Sequence, residues 1–276
     1  MRILKILAAV ISTAVLLTGG VLFLTSRGRS DAPVIVCSEE MTITASVNTT
    51  DEELLTYVTA SDKQDGDLSD HIKVIRKKNF LDVKEKSAII TFAVSDSDNN
   101  VSSISRKLVF SDYHSPRISL SYDFIFPSNH SYRLGQYVTA HDVIDGDISA
   151  YTKIISTEFT NIKGEYAINL KVSNSMGDTT EINFNAIVTD EDYFDTKVRL
   201  NDYAAYVSVG EEIDYMSRIK DIYNKSPDKY DMDDIVLDTT GVDTSTPGVY
   251  NAFYRIFGAD GEIITMTRLL VIVTED

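Results

Sequence analysis

The chain has 276 residues, 25% of them charged, with a formal net charge of −16 and 43% hydrophobic residues. That length suits two or three domains, and the strong acidity repels phosphate backbones, which excludes nucleic acid as a natural partner. The single cysteine, Cys37, excludes an internal disulfide.

The chain opens with Arg2 and Lys5, then an uncharged run from Ile6 to Thr25, closed by Arg27 and Arg29. A helix over that run rises about 1.5 Å per residue, or roughly 30 Å in all, enough to cross a bilayer. No small-x-small cleavage site follows at Val21-Leu22-Phe23-Leu24-Thr25. Residues 1–30 therefore read as an uncleaved signal anchor, a transmembrane helix that places a single-pass protein in the cell membrane with its bulk outside. Cleavage would instead make the protein secreted. Cys37 ends the apolar stretch Pro33-Val34-Ile35-Val36 and reads as a small hydrophobe in a first strand.

Beyond the leader an internal repeat organises the chain. Tyr57 to Leu68 reads YVTASDKQDGDL, and Tyr137 to Ile148 reads YVTAHDVIDGDI, with eight of the twelve positions identical. Each copy then runs into a hairpin of alternating apolar residues, the mark of strands with one buried face. The first has Ala88, Ile90, Phe92 and Val94, a polar turn at Asp96 to Asn100, then Ile104, Leu108 and Phe110. The second has Tyr166, Ile168, Leu170 and Val172, a turn at Asn174 to Asp178, then Ile182, Phe184, Ala186 and Val188. A third hairpin has Tyr250, Ala252, Tyr254 and Ile256, a turn at Gly258 to Gly261, then Met266, Leu270 and Ile272. The expected fold is all-β, three tandem immunoglobulin-like β-sandwich domains after the transmembrane helix. The repeats cover residues 31–112, 113–190 and a divergent 191–276. Polar linkers fall near Asp112-Tyr113-His114-Ser115-Pro116 and from Asp190 to Asp195.

Val-Thr-Ala-x-Asp, Asp-Gly-Asp, a Gly-x-Tyr strand and a Ser/Asp-rich turn resemble the bacterial surface immunoglobulin-like repeats labelled DUF5011. The resemblance covers about residues 32 to 276 and is good for the first two copies. The third departs from it: Ile219 to Asp234 carries Lys-Asp-Ile-Tyr-Asn-Lys-Ser-Pro and no Asp-Gly-Asp. The resemblance implies an extracellular fold and location, and no single activity.

Candidate sites follow from side-chain chemistry. Asp62, Asp65 and Asp67, with Asp142, Asp145 and Asp147, could gather oxygen ligands around calcium. The preferred reading is turn chemistry alone, with the aspartates accepting backbone hydrogen bonds and Gly66 and Gly146 at positive φ. Arg106 and Arg268 share a closing-strand column; one reading is a salt bridge to a neighbouring acidic group, and the preferred one is an edge or solvent-facing position with the stem covering apolar surface. The histidines, His71, His114, His130 and His141, make no zinc-ligand spacing. No nucleophile elbow, phosphate loop or dinucleotide glycine pattern occurs, so no catalytic residues and no small-molecule substrate are assigned. Tyr203, Tyr206, Tyr215, Tyr223 and Tyr230 cluster in the third copy and mark a candidate partner surface. The expected function is a non-catalytic, membrane-anchored surface spacer and interaction module that meets a cell-surface protein. The alternative is a cell-wall or glycan-binding adhesin module, with calcium dependence possible.

Overall fold

The computed structural model describes residues 31–275 except 40, 77–79, 129–131, 160–163, 191–194 and 227–228. The expected anchor over residues 1–30 lies outside the described residues. Among the described residues no helix is long and apolar enough to cross a membrane. The expected placement as a single-pass cell-membrane protein is corrected on that finding: no described segment supplies the roughly 30 Å of apolar helix that a span needs.

The protein is all-β, and the described chain forms two compact units, one ending at Ser111 and one beginning at Asp112. The first unit holds β1 (Val34–Cys37), β2 (Thr42–Ala45), β3 (Val58–Asp62), β4 (Gly66–Asp67), β5 (Lys73–Arg76), β6 (Ser87–Ser95) and β7 (Val101–Phe110). One sheet has the order β1-β3-β4 and the other β2-β7-β6-β5, with β2 parallel to β7 and the remaining pairs antiparallel. The one α-helix among the described residues, α1 (Asp51–Leu55), is short and closed by a capping box between Thr50 and Glu53. Its Leu54 is buried with Ile43, Ile90, Phe92 and Leu108. Cys37 ends β1 as a half-buried free thiol.

The second unit uses that strand plan twice. Its first half contains β8 (Arg117–Leu120), β9 (Ile125–Pro127), β10 (Val138–Asp142), β11 (Gly146–Asp147), β12 (Lys153–Phe159), β13 (Glu165–Ser173) and β14 (Thr179–Thr189). The sheets are β8-β10-β11 and β12-β13-β14-β9, with β9 parallel to β14. Its second half contains β15 (Thr196–Leu200), β16 (Ala204–Ser208), β17 (Ile219–Asn224), β18 (Val236–Asp238), β19 (Gly248–Phe257) and β20 (Ile263–Thr274). Its sheets are β15-β17 and β18-β19-β20-β16, with β16 parallel to β20. The divergent copy therefore keeps the topology. Among its described residues there is no counterpart of β4 and β11, the two-residue strands formed by Gly-Asp of the Asp-Gly-Asp turns.

The alternating residues of β6, β13 and β14 face inward as the period requires: Ile90, Phe92, Ile168, Leu170, Val172, Ile182, Phe184 and Ala186 are buried. In β20 the alternation is different. Ala252 pairs with Leu269, Tyr254 with Thr267 and Ile256 with Thr265, so the odd-numbered positions face the core of their own sandwich. Met266, Arg268, Leu270 and Ile272 lie on the opposite face. Yet everything from Thr267 to Val273 is buried, because that second face packs against the preceding repeat. One continuous hydrophobic core runs from Ile118 to Val273.

Candidate functional site

The two acidic loops are built alike, from hydrogen bonds to their own turns. Asp62 Oδ1 accepts from the backbone N–H groups of Gln64 (2.7 Å) and Asp65 (3.0 Å). Asp142 Oδ1 accepts from those of Ile144 (2.8 Å) and Asp145 (3.0 Å). Asp65 takes the N–H and hydroxyl of Ser97, and Asp145 those of Ser175, which ties each loop to the neighbouring hairpin turn. Asp67 and Asp147 each accept from the N–H and hydroxyl of the serine two residues on, Ser69 and Ser149. Those serine donors hold both carboxyls below the usual aspartate range. Gly66 and Gly146, at φ of +75° and +71°, make the turns. Among the described residues no three Asp, Glu, His or Cys side chains converge on a cation position. His130 lies outside the described residues.

The linker tyrosine is part of the second repeat. Tyr113 is 3% exposed. Its hydroxyl donates to Asp178 Oδ2 at 2.6 Å and accepts from Asn174 Nδ2 at 2.9 Å. Asn174 Nδ2 also donates to the fully buried Asp142 at 3.1 Å. Burial, then the Asp178 carboxylate, pushes the Tyr113 phenol well above the ordinary tyrosine range.

The five tyrosines expected on a partner surface divide. Tyr203 and Tyr206 lie at the junction of repeats two and three. The Tyr203 N–H donates to Leu120 O (2.9 Å), and Tyr206 Oη accepts from the Ile118 N–H (2.8 Å) with the Arg117 guanidinium over its ring. Burial raises both phenols to about 12. Tyr215 is half-buried, and its carbonyl accepts from Tyr254 Oη. Tyr223 is exposed beside Arg199, and Tyr230 is half-buried beside Lys229. They do not form one surface.

The same junction encloses a polar group that sequence reading missed. Lys197 of β15 reaches Asp123, between β8 and β9, at 2.6 Å. Lys197 Nζ also donates to Met266 O at 3.2 Å. Arg268 of β20 is 3% exposed, which corrects its reading as a solvent-facing or edge residue. Its guanidinium donates to Asn185 O and to Asp123 O (2.9 Å), and lies 5.5 Å from the centre of the Phe184 ring. Burial pushes the guanidinium down to about 10, and the nearby Asp123 opposes that shift. It stays charged at neutral pH. The cations are walled by aromatic rings, with Phe124 edge-on to Phe184 at 5.0 Å and Tyr122 stacked on Phe126 at 5.1 Å. Arg106 in the first repeat is half-exposed and donates to Glu39 O at 2.7 Å. The available signal was the unbroken apolar run Leu269–Val273 after Arg268, since a strand apolar at both parities is buried on both faces.

Outward of Arg268 the two repeats part into a cleft of about 400 Å³. Its walls are the outward faces of β13–β14, with Glu165, Asn183 and Asn185, and of β19, with Asn251 and Phe253. Asn185 Nδ2 donates to Glu165 Oε2 at 3.0 Å, and Asn183 Oδ1 accepts from Asn169 Nδ2 at 2.6 Å.

No protein-family model matches the chain, and no curated protein matches it. Among solved structures it is similar to the M60 catalytic domain with the CBM51-1 and CBM51-2 domains of Clostridium perfringens ZmpB. That similarity has 14% identity and a TM-score of 0.20 over 88% of this chain and 31% of that one. A structure of CBM51-2 in complex with GlcNAc and INT domains of the same protein matches at 13% identity and a TM-score of 0.21, over 56% of this chain and 41% of that one. The extracellular cadherin domains 1–5 of protocadherin gamma B2 match at 12% identity and a TM-score of 0.22, over 89% of this chain and 61% of that one. The chain thus spans less than half the length of the two clostridial structures.

Proposed function

We propose that this chain is a non-catalytic extracellular binding module of three immunoglobulin-like sandwiches, the second and third fused into one rigid element. It holds a recognition surface in a fixed orientation towards a cell-surface partner. The observation that carries this reading is the two-sided burial of β20, with Arg268 hydrogen-bonded to main-chain carbonyls of the repeat before it. A hinge between sandwiches would leave that face wet. A buried guanidinium is tolerated only where its donors are matched in a fixed geometry. The resemblance of the first two copies to bacterial surface immunoglobulin-like repeats supports the location. The acidic turns support a passive role, because their carboxylates are engaged by the fold's own N–H groups.

Saturable binding to intact cells tests the reading. Labelled full-length chain is expected to bind and to be displaced by unlabelled chain, with no chemical change in the captured component. Linear, non-saturable association would reject it.

A further inference from the structure

The cleft beside Arg268 is lined by three asparagines, two phenylalanines and one ionic group of each sign. Asn183 and Asn185 stand two residues apart on the outward face of β14, so their side chains rise from one face about 6–7 Å apart. Asn251 faces them from β19, and its exposed side chain makes no hydrogen bond to the described residues. Asn185 keeps its carbonyl oxygen for an acceptor role, since its amide nitrogen is engaged by Glu165. Asn183 keeps its amide nitrogen as donor, since its oxygen is engaged by Asn169. Phe253 supplies an aromatic wall, and the floor is the Arg268 guanidinium.

One cation and one carboxylate line the cleft, so it carries no net charge to select a phosphate or a polyanion. An extended peptide would seek an open strand edge or an apolar slot, and these walls are mid-sheet faces bearing amides. Paired amide donors and acceptors opposite an aromatic wall match vicinal hydroxyls on one edge of a sugar ring and C–H groups on its face. The volume lies within the range of small-ligand sites. We infer that this cleft binds a neutral carbohydrate, one or two sugar residues of a glycan chain. The inference rests on the reading of the chain as a binding module and names its partner class.

Calorimetric titration of the full-length chain with two neutral tetrasaccharides, cellotetraose and N-acetylchitotetraose, tests it, with tetragalacturonate as the anionic control. Binding of at least one neutral sugar is expected. The exposed double variant Asn185→Ala/Asn251→Ala is expected to weaken it about tenfold or more, the loss of two or so hydrogen bonds, without lowering the melting temperature. Tyr151→Ala, outside the cleft, is expected to leave it unchanged. No binding of either neutral sugar, preference for the anionic control, or full affinity in the double variant would overturn the inference. The cell-binding measurement separates the two claims. Saturable cell binding kept by the double variant would leave the module reading standing and the cleft assignment wrong, whereas loss of saturable binding by the wild-type chain would remove both.

Discussion

Lys197 Nζ lies 2.6 Å from Oδ2 of Asp123, a carboxylate wholly enclosed by protein. The two residues belong to different repeats, so the ion pair exists only when both sandwiches are folded and docked. Arg268 adds hydrogen bonds to the Asp123 and Asn185 carbonyls from the same side. Stability in this unit is therefore shared across the repeat boundary.

Arg268→Ala removes those donors and leaves Asp123 with one cation fewer. A loss of about 3 kcal/mol is expected for a broken buried network. Arg106→Ala in the first repeat removes a half-exposed group and is expected to cost less than about 1 kcal/mol. Urea denaturation of the two variants checks the difference. Equal small losses would mean that Arg268 is solvated in solution.

Gly164 precedes β13 at φ +84°, and a Cβ there would lie 2.4 Å from Val188 O. Gly164→Ala meets both a disfavoured backbone conformation and a main-chain clash, so a loss above about 1 kcal/mol is expected. Thermal unfolding measures it, and an unchanged melting temperature would contradict the close strand approach.

Tyr203 and Tyr206 titrate near 12 in the folded state against an ordinary value of 10, and Tyr113 is higher still. Their folded values are raised, so their contribution is complete below pH 10 and is lost as pH rises through about 12. Phenolate absorbance is expected to show a group of tyrosines that ionises only with unfolding. At the acid end Asp67 and Asp147 are lowered. Their contribution is complete above the ordinary aspartate value of 3.8 and is lost as pH falls through the folded values. Simple titration of every tyrosine near 10 would contradict the buried junction.

The Asp142 carboxylate accepts from two backbone N–H groups and the Asn174 amide with no exposure to solvent. Asp142→Ala strands those donors, and a loss of about 2 kcal/mol is expected. Millimolar calcium is expected to leave the melting temperature unchanged, because these oxygens already serve the turn. A rise with calcium would show that the loop reorganises around the ion.

Sequence patterning made the hairpins of the first two repeats legible, because Ile90 and Phe92 in the first and Ile168 and Leu170 in the second each alternate onto the core of their own repeat. The Asp-Gly-Asp turns were legible for a similar reason: the bonds of Asp62, Asp67 and Asp147 are to groups two or three residues on, whereas the ties of Asp65 to Ser97 and of Asp145 to Ser175 were not. In the third repeat Met266, Leu270 and Ile272 read as the core face, whereas the structure turns them towards the second repeat. Two-sided burial had erased the period of β20 that fixes parity. Tyr203 and Tyr206 looked like surface groups for a related reason. Their partners, Leu120 and Ile118, lie more than eighty residues away, where no local pattern reaches. The amide cleft was equally hidden, since Asn185 and Asn251 meet only through the docking of two sheets.

Native-state hydrogen exchange of the full-length chain, followed at rising denaturant, tests the fused unit most directly. Core amides of β13, such as Ile168 and Leu170, and of β19 and β20, such as Ala252 and Leu269, are expected to merge into one opening with a common free energy and a common denaturant dependence. Separate openings for the second and third repeats, each with its own smaller dependence, would contradict a single rigid element.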